Sequence, residues 1–244
     1  MKKMSQREQR EKGRLRNNAT TIVSIVLLAV AAVVAGYMVS VNKAQDKLDT
    51  EIASAALAFQ SGDGEWVNDV LGRVVGDGEY GKVEEGLKKY IRNIVDNAQK
   101  IKEVDENNLI LKVLDADYLA ENRNRLDEVK AELEQLKQQA DENLANVERL
   151  YSEEGAITFV PEDLNNGFRK LFLEDASGFY DNSSMKENYT EMAADDVKAL
   201  QMEIEAVDFL SHHMADWSIK NEKLTFTNSA TEDAYNAILE SVAE

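Results

Sequence analysis

The sequence predicts a mostly all-α protein. It reads as an N-terminal transmembrane helix followed by an elongated helical bundle with coiled-coil-like long helices and one small β-hairpin near the C-terminus. Three observations predict this. The 244 residues include one proline and no cysteine, which removes the turn chemistry of an all-β sandwich and every disulfide, thiolate-metal or cysteine-nucleophile class. Apolar residues recur every three or four positions along three long stretches, the period of an amphipathic helix. Finally, the 24 residues from Ala19 to Asn42 (ATTIVSIVLLAVAAVVAGYMVSVN) carry no charge.

That run divides the chain into three parts: a basic segment 1–18, an apolar span 19–42 and an acidic helical domain 43–244. At a rise of ~1.5 Å per residue, about 20 such residues cross a ~30 Å hydrocarbon core. Residues 1–18 hold seven basic and two acidic side chains, a net of +5, against −23 for the remainder. Basic flanks stay in the cytoplasm, so the expected topology is single-pass, with the N-terminus inside and the acidic domain outside. The basic segment suits anionic inner-leaflet lipids, making the lipid bilayer the first expected partner. Ala29-Val30-Ala31 matches a cleavage pattern, which keeps open a cleaved signal ending at Ala31. The apolar run nevertheless continues through Val41, beyond the ~7–15 residues of a signal core, and this favours an uncleaved signal-anchor. A lipid-modified cysteine is excluded. Ala32, Gly36 and Ser40 share one face of the span at the small-residue spacing used in membrane helix packing, although such residues are common in any span.

Residues 43–60 extend the helical pattern, with Leu48, Ile52, Ala55, Ala56 and Phe59 on one face. Two similar breaks follow, GDGEW at 62–66 and GDGEY at 76–80. Each places an Asp near a helix start and a Glu in its first turn, a capping pattern. The ligand spacing of a calcium loop is absent. From Tyr80 to Val104 a single stripe holds Val83, Leu87, Tyr90, Ile94, Ala98, Ile101 and Val104, and Asp105–Asn108 is the expected turn.

A longer helix is predicted from Leu109 to Glu153. Its seam is Leu119, Leu126, Leu133, Ala140 and Val147, with Val129, Leu136 and Leu150 behind it, a heptad pattern. Such a helix would run on the order of 65 Å at ~1.5 Å per residue. Asn122 and Asn143 fall in the same series, either fixing register in a buried seam or marking where the stripe meets solvent. Residues 157–160 read as a short strand, Pro161 as the first turn of a helix holding Leu164, Phe168, Leu171 and Phe172, and Asp175–Ser184 as loop. A third long helix carries Val197, Leu200, Ile204, Val207, Leu210, Met214 and Trp217. Trp217–Ile219 and Leu224–Phe226 then flank a polar four-residue turn, a hairpin signature. Asn228 and Ser229 are set to cap a last helix bearing Tyr235, Ile238, Leu239 and Val242.

GDGEYGKVEEGLKKYI (76–91) and DFLSHHMADWSIKNEKLTFTNSATEDAYNAIL (208–239) resemble segments of membrane-anchored extracytoplasmic helical proteins of Gram-positive Firmicutes. The resemblance spans residues 45–244. It implies an envelope location, long helices, a W-x-I…F hairpin and a closing Tyr-Asn helix. No activity attaches to that group, so it adds no site residues.

The chemistry-bearing residues are sparse. His212 and His213 are the only histidines; adjacent on a helix, they point about 100° apart and cannot grip one metal together. Asp115 and Asp117 lack a glycine-rich loop beside them. Asp195-Asp196 and Glu84-Glu85 read as solvated helix faces. Hydrolase, metalloprotease, P-loop and dinucleotide motifs are absent, and the acidic balance disfavours nucleic acid. The expectation is therefore a non-enzymatic interaction or scaffold module of the cell envelope, using no cofactor and no metal. Its partners would be the bilayer and another envelope protein, with a homodimer as a further option. Trp217, Phe226 and Tyr235, together with the Leu119–Val147 seam, are the candidate partner-binding features, though apolar stripes at helical spacing equally serve as core. The alternative is a ligand-binding or sensory ectodomain working with a membrane partner.

Overall fold

In the computed structural model, residues 43–61 and 64–241 are described. The basic segment 1–18 and the span 19–42, with Ala32, Gly36 and Ser40, lie outside them. Among the described residues, no helix is long and apolar enough to cross a membrane. The described chain is mostly helical, with a two-stranded antiparallel sheet near its C-terminus. The elements in order are α1 (Lys43–Ser61), α2 (Gly64–Gly72), α3 (Gly78–Asp105), α4 (Asn108–Lys112), α5 (Ala116–Asn122), a 3₁₀ turn (Arg123–Arg125), α6 (Leu126–Leu150), α7 (Glu153–Ile157), α8 (Asn166–Tyr180), α9 (Ser183–His212), β1 (Trp217–Lys220), β2 (Lys223–Phe226) and α10 (Ser229–Glu240).

The chain forms two compact units. One holds the described residues up to Ala98 together with Val147–Glu187; the other holds Gln99–Asn146 together with those from Asn188 onward.

In the first unit, α1 packs on α2 and buries Leu48, Ile52 and Ala55. The stripe of α3 is buried as its period requires, at Val83, Leu87, Tyr90, Ile91, Ile94 and Ala98. The Tyr90 ring lies 5.3 Å from Phe159 and edge-on to Phe179 at 6.0 Å, while its hydroxyl donates to the Leu150 carbonyl at 2.6 Å. Gly86 allows this close approach: a Cβ there would lie 2.8 Å from the Phe159 carbonyl and 2.9 Å from the Phe172 ring.

Three expectations about 155–184 are corrected. No strand forms at 157–160. Ser152 caps α7 by accepting from the Gly155 amide, and the amides of Thr158, Phe159 and Val160 each reach a carbonyl three residues back. With those hydrogen bonds made locally, the segment has no call for a ladder partner. Pro161 precedes α8 by several residues, because Asn165 is the residue that accepts from the Gly167 and Phe168 amides and starts it. The predicted loop from Asp175 is helix as far as Tyr180, since Phe172, Ala176 and Phe179 continue one buried face. Asn182 then accepts from the Met185 amide at the start of α9.

In the second unit, the core joins Leu119, Leu126, Val129, Leu133 and Ala140 to Leu200, Ile204, Val207, Leu210, Trp217 and Tyr235. The single helix expected over 109–153 is broken into α4, α5, the 3₁₀ turn and α6. Asn107 caps α4, and Asp115 sits in extended conformation before α5. The seven-residue repeat survives these breaks, with Leu119, Leu126, Leu133, Ala140 and Val147 all buried. α6, at 25 residues, is about 37 Å long at ~1.5 Å per residue.

The hairpin pairs Trp217 with Phe226 and Ile219 with Leu224. Its turn is two residues rather than four. Asn221 (φ 51°) and Glu222 (φ 59°) are both left-handed, the conformation that matches strand twist in a tight hairpin. α10 packs on β2, and Asn228 caps it by accepting from the Thr231 amide.

Candidate functional site

The most heavily constructed part of the first unit is a buried ionic cluster contributed by α1, α3 and the segment between α2 and α3. Lys88 points from α3 into the interior with its side chain 2% exposed. Its ammonium donates to Glu84 Oε1 at 2.6 Å, Glu51 Oε2 at 3.0 Å and the Arg73 carbonyl at 3.1 Å. All three of its donors are used. Arg73 grips Glu51 through Nε and Nη2, both at 3.1 Å, and Asp69 through Nη1 at 2.8 Å. Glu84, fully buried, also accepts from the Val75 and Gly76 amides. Burial alone would raise the Glu51 pKa, but hydrogen bonds from Arg73 and Lys88 outweigh it and hold the carboxylate below its usual range. Each charge is met by opposite charge and by hydrogen bonds, the condition for burying ions. The cluster is a clamp on the backbone at 73–76.

Sequence reasoning missed this cluster. Glu84-Glu85 was expected to be a solvated face; Glu85 is exposed, but Glu84 is buried, because the backbone amides of the adjoining segment need an acceptor there. A signal did exist in the sequence, since Glu84 and Lys88 stand four apart on one helix face. What the spacing lacked was any sign that this face turns inward.

The clamped segment presents its apolar side chains to solvent. Val74 is 47% and Val75 37% exposed, and Leu57 of α1 and Trp66 of α2 are also exposed. The exposed charges nearby in the chain are the acids Glu65, Asp69 and Asp77 and the base Arg73, which is paired with Asp69.

The residues singled out from the sequence gather in the second unit. Phe226 and Tyr235 lie 5.3 Å apart, ring to ring. Trp217 donates from Nε1 to the Leu210 carbonyl at 2.9 Å, with the Arg123 guanidinium 4.4 Å above its ring. Arg123 also donates to the carbonyls of Met214 and Trp217. Trp217 and Tyr235 are buried and Phe226 half-buried, so Phe226 is the one that retains surface. Burial pushes the Tyr235 phenol up. Asn122 ends α5, its amide donating to the Tyr118 carbonyl, whereas Asn143 is buried on α6. His212 is exposed, and His213 stacks on Phe209 at 4.1 Å. Asp115 and Asp117 begin α5; Asp195 is exposed and Asp196 half-buried. Among the described residues, no group of three or more His, Asp or Glu side chains is placed to hold a metal ion.

Comparison of the chain with family models, with curated proteins and with solved structures found no match.

Proposed function

We propose that this chain is a single-pass membrane protein whose acidic helical part, residues 43–244, stands outside the cell as an interaction or scaffold module of the envelope. The anchor and its orientation rest on the +5 segment before an uncharged run of 24 residues, by the positive-inside rule. The interaction role rests on one structural observation. Three buried charges, Glu51, Glu84 and Lys88, joined by the exposed Arg73, hold the 73–76 backbone while Val74 and Val75 stay exposed. Well-packed apolar residues would stabilise the interior at least as well as buried ion pairs. A costly clamp behind an exposed apolar segment suits a surface kept in one shape for a partner. Three acids against one arginine leave the surroundings of that segment net negative, so the partner of best fit is an envelope protein offering apolar side chains with Lys or Arg beside them.

The test is site-specific photocrosslinking of the full-length protein in living cells. A probe at Val75 is expected to give a reproducible adduct, and a probe at exposed Gln135 on α6 is expected to give none. A self-adduct would instead make the partner a second copy. No adduct from Val75, combined with a small molecule retained by the purified protein, would replace this reading with a ligand-binding ectodomain. Protease applied to intact spheroplasts is expected to remove the acidic part and spare residues 1–18; protection of the acidic part refutes the orientation.

A further inference from the structure

The two similar breaks, GDGEW (62–66) and GDGEY (76–80), start helices in the same register. In α2 (Gly64–Gly72) and α3 (Gly78–Asp105) alike, the glutamate is the second helical residue and the aromatic the third. The second copy holds another helix. Glu79 Oε2 accepts from the backbone amide of Asn165 at 3.3 Å and from its side-chain Nδ2 at 3.2 Å. Asn165 Oδ1 in turn accepts from the Gly167 and Phe168 amides, which begins α8. The Tyr80 ring meets Phe168 edge-on at 4.8 Å, with the planes 87° apart. Glu79 and Tyr80 thus seat the first turn of α8. The carboxylate takes the amides of the capping residue, which suits the positive end of a helix, and the ring takes the aromatic three residues on.

We propose that Glu65 and Trp66 are a seat of the same kind turned toward another protein, docking the first turn of a partner helix that opens on a capping Asn and carries Phe three residues later. Both side chains of the first copy are exposed, Trp66 by 39%. Trp in place of Tyr enlarges the ring face, and Trp is enriched among the residues that carry binding energy. Charge selects the occupant. Asn68 stands where α3 has Lys82, which pairs at 2.7 Å with Asp163, just before the α8 cap. The first copy therefore lacks the base that holds an acid ahead of the cap. Glu65 and Asp69 against Arg73 leave this turn net negative, which favours the positive end of a helix followed by Lys or Arg. This contact goes beyond the one at Val74 and Val75, because it states which element of a partner is held.

The test is fluorescence anisotropy of a peptide with the sequence of residues 164–173 (LNNGFRKLFL), acetylated and labelled at its C-terminus, titrated with the full-length protein in detergent. The peptide holds the capping Asn, the Phe, two basic residues and no acid. Saturable binding is expected. It is expected to weaken by about tenfold or more in Trp66→Ala, and equally with the Phe168→Ala peptide, the scale of losing one aromatic anchor. Glu65→Gln keeps the shape and removes the charge, and is expected to weaken binding by about threefold to tenfold. Glu79→Gln controls for displacement of the chain's own α8 and is expected to bind as the wild type does. Absence of saturable binding, undiminished binding by Trp66→Ala or of the Phe168→Ala peptide, or dependence on Glu79 in place of Glu65 overturns the proposal. If Trp66→Ala does not fold, Glu65→Gln and the Phe168→Ala peptide decide. The Val75 crosslink and the spheroplast experiment report on the envelope reading separately, so failure of either is distinguishable.

Discussion

The Lys88 ammonium lies 2.6 Å from the Glu84 carboxylate, and neither side chain reaches solvent appreciably. Glu84 also receives the amides of Val75 and Gly76, and Lys88 also reaches Glu51 and the Arg73 carbonyl. One ion pair thus ties α3 to α1 and to the chain entering α3. Removing one member leaves the others as buried, uncompensated charges.

Lys88→Met, close in length to the wild type, is expected to destabilise the protein by about 3–5 kcal/mol, the usual cost of breaking a buried pair from one side. Denaturant unfolding measures the loss. Amide exchange at Val75 and Gly76 should accelerate in the variant, because their acceptor loses its counter-charge.

Acid should weaken the same cluster. The Glu51 carboxylate is held below its usual range, so its contribution is present above the ordinary glutamate value of ~4.3 and is lost as pH falls below it. Arg73→Gln is expected to flatten that acid limb of the stability curve. An unchanged limb would show that Arg73 does not hold Glu51 ionised.

Two glycines should respond oppositely to alanine. At Gly86 the added Cβ would lie 2.8 Å from the Phe159 carbonyl and 3.0 Å from Pro161 Cδ, and the overpacking is expected to cost about 1–3 kcal/mol. At Gly72 the nearest atom is Arg92 Nη2 at 3.8 Å. There alanine is expected to stabilise by about 0.4–1 kcal/mol through the unfolded chain. Thermal unfolding of both variants decides.

Glu222→Gly is expected to stabilise the hairpin by about 1 kcal/mol, because Glu222 sits at φ 59°, a left-handed conformation that costs side-chain-bearing residues roughly 1–2 kcal/mol. Asn221 already suits the turn, and Asn-Gly is the pair it favours. An unchanged midpoint would mean that the turn relaxes at no cost.

The two tryptophans should separate by quenching. Trp217 is 2% exposed and Trp66 39%. Acrylamide is therefore expected to quench one emitting component and spare the other, with Trp66→Phe removing the quenchable one.

The sequence by itself determined the helical class, because amphipathicity is local. The stripe from Val83 to Val104 is buried at every position its period named, and Asn228 caps α10 as its side chain allows. The uncharged run at 19–42 and its basic flank are likewise properties of the sequence alone. Tertiary structure decided the rest. The heptad series reported which side of 119–147 is buried, and that side stays buried through breaks in the helix, since a repeat records burial and says nothing of backbone continuity. Glu84 and Glu85 are the same residue type one position apart, and what distinguishes them is that Glu84 meets the Val75 and Gly76 amides and the Lys88 ammonium. Glu51 and Lys88 stand 37 positions apart. Charge pairing at such a distance leaves no period in the sequence, so the clamp becomes visible only once the helices pack.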